Sequence, residues 1–120
     1  MIIADIAKAL RLHKYQVDTM FVNKEAENHL SVVLAGFDPN LETEFSYLPE
    51  VEVNIIFYMT DGDAIITQLK DIIKIVHEDV ILTNYHHFSF TDININPTNN
   101  DVEVTMVIKY KELINITNGA

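Results

Sequence analysis

The chain has 120 residues, 48% of them apolar, and it contains no cysteine. Eighteen acidic residues against seven lysines and one arginine leave a formal net charge of −10. The composition excludes a disulfide framework, a thiol nucleophile and a zinc–thiolate site, and it argues against binding nucleic acid or an anionic membrane through a broad basic surface. The length fits one domain with its own core, and no apolar run reaches transmembrane length.

Ile3, Ile6, Ala7 and Leu10 recur at helical spacing and predict a first helix from roughly Ile2 to His13. Lys8, Arg11 and Lys14 gather near its C-terminal end, where the helix dipole favours cations. Asp5, Lys8 and Arg11 interrupt the apolar residues, so we read a helix here and no signal peptide. Tyr15 to Asn23 alternates loosely and predicts a strand. The polar stretch Asn23 to Asn28 turns the chain, and His29 to Phe37 predicts a second strand, so the two are expected to form a hairpin.

Gly36 to Asn40 carries strong breakers. Leu41 to Glu50 is read as a long, partly extended loop, since Pro49 argues against a central strand. Within it Glu42, Glu44 and Glu50 surround Phe45, Tyr47 and Leu48. Aromatics among carboxylates mark these six residues as a candidate subunit or partner interface. The plainer reading, a loop folding its aromatics onto its own core, carries more weight on general grounds.

Val51 to Met59 alternates clearly, with Val51, Val53, Ile55, Phe57 and Met59 on one face. Its second face starts polar at Glu52 and Asn54 and turns apolar at Ile56 and Tyr58, which predicts a wet first part and a covered later part. Thr60 to Val80 then predicts the one long helix. Its stripe is Ile65, Ile66, Leu69, Ile72, Ile73, Val76 and Val80, with Gln68, Lys70, Asp71, Lys74, His77 and Glu78 mostly opposite. Thr60 and Asp63 have the spacing of a capping pair, and Asp61 and Asp63 suit the helix N-terminus.

After a link from Ile81 to His87, Phe88 to Asn96 predicts a strand in which burial switches sides through a bulge. Pro97 to Asp101 is a turn, and Val102 to Tyr110 alternates cleanly to complete a hairpin. Residues 113–120 read as a frayed tail. The order helix, strand, strand, strand, helix, strand, strand predicts a single α+β domain over residues 1–120. Its sheet is expected to be antiparallel or mixed, with both helices packed on one face.

Chemistry is sparse. His86 and His87 are adjacent, and strand neighbours point to opposite faces, so they make no simple shared site. A metal site there would need further ligands, such as His77 or Glu78. Asp61-Gly62-Asp63 resembles the opening of a calcium loop, but helix-core residues follow where ligands are required, so capping is the favoured role. Ser31, Ser46 and Ser89 lie in no nucleophile motif, and no phosphate loop or dinucleotide fingerprint occurs. The expectation is a non-enzymatic protein with no catalytic, cofactor or metal residues.

Two stretches, Val51 to Ile73 and Phe90 to Lys111, together with the element order from Met1 to about Lys111, carry a family resemblance. The chain resembles the small tail-terminator and tail-completion (minor capsid) proteins of long-tailed bacteriophages. It departs from some relatives in having an acidic loop before the third strand where they carry prominent arginines. The resemblance implies a virion structural protein, assembled in the host cytoplasm. Such a protein closes into a ring, usually a hexamer, that caps the tail tube and meets the head connector. The alternative is a cytoplasmic, non-enzymatic binding or regulatory α+β module.

Overall fold

A computed structural model of the chain describes residues 2–20, 22, 29–39, 46–47, 49–81, 88–111 and 114–115. In chain order the elements are α1 (Ile2–Leu12), β1 (Gln16–Asp18), β2 (His29–Asp38), β3 (Ser46–Tyr47), β4 (Glu50–Met59), α2 (Gly62–Val76), β5 (Ser89–Pro97), β6 (Val102–Lys111) and β7 (Ile114–Asn115). A π-helical turn, His77–Ile81, continues α2. The class is α+β, as the order of elements predicts. Five strands make one mixed sheet in the order β1-β2-β4-β6-β5, and β3 pairs with β7 in a separate two-stranded ladder.

The core is built from alternation in the strands and a stripe on each helix. Ile6 and Leu10 of α1, and Ile65, Ile72 and Val76 of α2, are buried with Leu30, Val32, Val53, Ile55, Phe57, Val104, Met106 and Ile108 of the sheet. The expected inner face of β4 is therefore observed. Its second face shows no gradient, because Glu52, Asn54, Ile56 and Tyr58 are all half-buried. The bulge expected in β5 lies between Phe90 and Asp92. It allows both Phe90, opposite Ile108, and Ile93, opposite Met106, to face the core.

The expected hairpin of the first two strands is not formed. β1 is only three residues long and pairs with β2 in parallel, Gln16 opposite His29 and Asp18 opposite Ser31. A tight turn leads the chain from α1 into β1. Lys14 takes a left-handed backbone, φ 72°, and its N–H donates to Arg11 O while Tyr15 N–H donates to Leu10 O. This is the Schellman arrangement, which satisfies the last carbonyls of the helix. Three alternate residues around it then tie the end of α1 down. Arg11 Nη2 donates to Val17 O at 2.7 Å, His13 Nε2 lies 3.1 Å from Asp79 Oδ2, and Tyr15 Oη donates to Asp71 Oδ2 at 2.6 Å.

The start of α2 also differs from the expected pair. Asp61, not Thr60, is the N-cap, its carboxylate accepting from Asp63 N–H at 2.9 Å. Asp61 precedes the first helical residue and has extended backbone, the conformation a cap needs. Along the helix, Ile66 is 51% exposed although it belongs to the predicted stripe, while Gln68 is buried although it was placed opposite. Ile75 completes the buried side. Two residues of the expected frayed tail, Ile114 and Asn115, pair with Tyr47 and Ser46.

Three outcomes follow from these contacts. Ile72→Asp places an unpaired charge at a fully buried position and abolishes the cooperative thermal transition. From sequence, Thr98→Ala looks harmless, but the Thr98 hydroxyl donates to Asp101 Oδ1 at 2.6 Å across the β5–β6 turn. Its loss costs about 0.5–1 kcal/mol in a denaturant titration. Lys14→Gly raises the melting temperature by relieving a left-handed backbone that costs about 1 kcal/mol in a residue with a side chain, and Lys14→Val lowers it.

Candidate interaction surface

Of the six interface candidates, Glu42, Glu44, Phe45 and Leu48 lie outside the described residues, and Tyr47 is placed only as a residue of β3. Glu50 is placed in full. It opens β4, opposite Lys111 of β6 and Asp38 of β2. Its carboxylate stands between two cations, with Lys109 Nζ and Lys111 Nζ each at 3.7 Å. The alternation of β6 puts both lysines on one side of the sheet. The three charges, with Phe88, Ser89 and Thr91, line an open cavity of about 360 Å³. Phe88 is held there by an edge-on ring contact with Phe90 and a tilted one with Tyr110.

This end of the sheet also exposes apolar surface. β1 pairs only with His29, Leu30 and Ser31, so Val32 to Asp38 has no neighbouring strand on its outer side among the described residues. Leu34 and Phe37 in that stretch are each 59% exposed. At the opposite edge of the sheet, β5 exposes Ile95. Exposed strand edges with apolar side chains are templates for pairing with another chain. Sequence reasoning pointed at the loop before β4 and missed Leu34 and Phe37, because they continue a strand whose first half is buried.

The other face of the sheet is mixed. Val33, Asn54 and Val107 stand side by side across three strands, and Asn54 Oδ1 is buried without a hydrogen-bond partner. Further along, Tyr58 Oη donates to Glu103 Oε2 at 2.7 Å. Burial, then that hydrogen bond and the charge of Glu103, with Asp101 adding to it, push the Tyr58 hydroxyl up to about 12. At the sheet edge His29 Nε2 and Asp18 Oδ2 are 2.5 Å apart, joining β2 to β1.

No group of three or more histidine or carboxylate side chains stands together as a metal site among the described residues. His86 and His87 fall outside them. Asp61 and Asp63 act at the helix start, as the capping reading requires. Ser31 is fully buried, and Ser89 is exposed beside the Glu50 cavity. No helix among the described residues is long and apolar enough to cross a membrane. No protein-family model and no curated protein matches the chain.

The raised Tyr58 value has a signed consequence. A phenol whose folded pKa exceeds its unfolded pKa contributes stability that is complete below the unfolded value, near 10. That contribution disappears as pH rises through about 12. The melting temperature of the wild type, measured against that of Tyr58→Phe, is therefore level below pH 10 and falls as pH rises from about 10 to about 12.

Proposed function

We propose that the chain is a structural protein of a long-tailed bacteriophage virion, a tail-terminator or tail-completion protein. In this reading copies of the chain close into a ring, a hexamer, that caps the tail tube and joins it to the head connector. The observation that carries the reading is the order α-β-β-β-α-β-β of the two helices and the five-stranded sheet, β3 and β7 apart, in an α+β fold, matched to the layout that the chain resembles.

Two features of the surface support it. The two edges of the five-stranded sheet belong to different strands, β1–β2 and β5, so a contact of one edge with the other is heterologous. Heterologous contacts close into rings when the rotation between copies allows. The net charge of −10 keeps free copies apart through self-repulsion, and a tube end or connector of complementary charge offsets it. The chain acts here through surfaces and carries out no chemical step.

Sedimentation over a concentration series, with and without purified tail tubes, tests the reading. The expected result is a discrete ring, in solution or at tube ends, that stops tube elongation and whose binding to tubes weakens as salt rises. A persistent monomer that leaves tube ends uncapped overturns the reading. Salt-independent capping overturns only its electrostatic part.

A further inference from the structure

The small β3–β7 ladder continues the central pair of the sheet. Glu50 pairs with Lys111 at the end of the β4–β6 ladder, and Tyr47 pairs with Ile114. Tyr47 lies three positions before Glu50 and Ile114 three positions after Lys111, so the two ladders keep one register. They are parts of a single antiparallel ribbon that runs from Met59 opposite Val102 to Ser46 opposite Asn115. Fourteen residues from Ser46 to Met59 span about 46 Å. That length accounts for most of the molecule's 51 Å long axis, against 28 and 21 Å across.

The flanking strands do not follow the ribbon to its end. β2 stops at Asp38, opposite Glu50, and β5 begins at Ser89, opposite Lys109. β3 and β7 pair with each other and with no third strand among the described residues. The end of the ribbon is therefore an arm that leaves the five-stranded sheet. Two strands alone are marginally stable in water, so the arm gains from a further strand beside it.

The open edge of β2 supplies a place for one. Sheet edges are ordinarily protected by charge or proline, and β5 carries Asp92 and Pro97. Val32 to Phe37 carries neither, and Leu34 and Phe37 there are each 59% exposed. The sequence around β7, Leu113 to Ala120, also lacks any ionisable side chain. In a chain of net charge −10, these two stretches let copies meet without like charges in contact.

We propose that the arm of one copy docks on the open edge of β2 in a second copy, with β7 added as a strand beside Val32 to Phe37. Main-chain hydrogen bonds hold the contact, and Leu34 and Phe37 give it apolar area. Arm and edge are different surfaces, so the contact is heterologous, and each copy keeps one of each to offer. The inference stands on the ribbon and the edge alone, and it holds or fails separately from the capping of tail tubes.

The chain has no cysteine, so engineered thiols report the contact. Asn115→Cys protein is mixed with Leu34→Cys, Ala35→Cys or Phe37→Cys protein and oxidised, with a mass label on one partner to identify mixed dimers. A mixed disulfide is expected at one or two of these β2 positions. Met20→Cys, at a site 88% exposed, and Ile95→Cys, on the β5 edge, are expected to give little. Leu34→Lys places a charge on the edge at an exposed site and leaves the melting temperature unchanged. It lowers the yield at the cross-linking position among the other two by about tenfold, the scale of losing one buried apolar side chain. The proposal is overturned if no mixed disulfide forms, if Met20 or Ile95 matches the β2 positions, or if Leu34→Cys gives mainly its own symmetric dimer. An unchanged yield in Leu34→Lys overturns it as well.

Discussion

Pairing of β4 with β6 in unbroken register, from Glu50 opposite Lys111 to Met59 opposite Val102, sets Val53, Ile55 and Phe57 beside Ile108, Met106 and Val104. These six side chains are essentially fully buried. A strand turns every second side chain to the opposite face, so a slip of one residue would send all of them outward and bring Asn54, Glu103 and Lys109 in. The rest of the molecule inherits this register. It gives Glu50 its two lysines, Tyr58 its glutamate, and the helices the surface on which Ile6, Leu10, Ile72 and Val76 are buried.

The strands flanking this central pair are less regular. β2 carries a register shift between Leu34 and Gly36, and β5 carries one between Phe90 and Asp92. Bulges at sheet margins bend and twist a strand, which discourages indefinite edge-to-edge stacking while leaving room for one defined neighbour. The ring proposed for this chain would need that combination. Its margins must be available for pairing, yet unsuited to an endless sheet.

Much of this was legible in the sequence where periodicity was sustained. Val51 to Met59, Val102 to Tyr110 and the long helix announce themselves over nine or more residues, and the bulge in β5 shows in the change of apolar phase after Phe90. Short or ambiguous signals failed. Three residues of β1 cannot encode strand direction, and the contacts that hold β1, the backbone turn at Lys14 and the bond from Arg11 to Val17, leave no mark in the alternation. In α2, Ile65, Ile66, Leu69, Ile72, Ile73, Ile75 and Val76 span too wide an arc for one face. Composition alone could not choose Ile66 as the residue left outside, nor Gln68 as the one taken in. The setting of Glu50 was invisible for another reason: its lysines lie far along the chain and arrive only through the β4–β6 register. Residues around it were flagged by chemistry, an acidic and aromatic loop, whereas Leu34 and Phe37 were masked by a strand pattern that continues past the end of its cover.

The same central register also bears on how the chain reaches its fold. β5 and β6 are joined by a short turn braced between Thr98 and Asp101, so this hairpin closes locally. The partners in β4 and β6 are about fifty positions apart, and loops of that span close slowly compared with a hairpin. Without β4, β6 would leave the backbone groups of its β4-facing edge unpaired and Val104, Met106 and Ile108 uncovered. The pairing with the longest loop to close is therefore also the one that covers the most pairing surface. A net charge of −10 sets like-charged chains against one another whether or not the sheet is closed, so it opposes association of partly folded molecules as well as of folded ones.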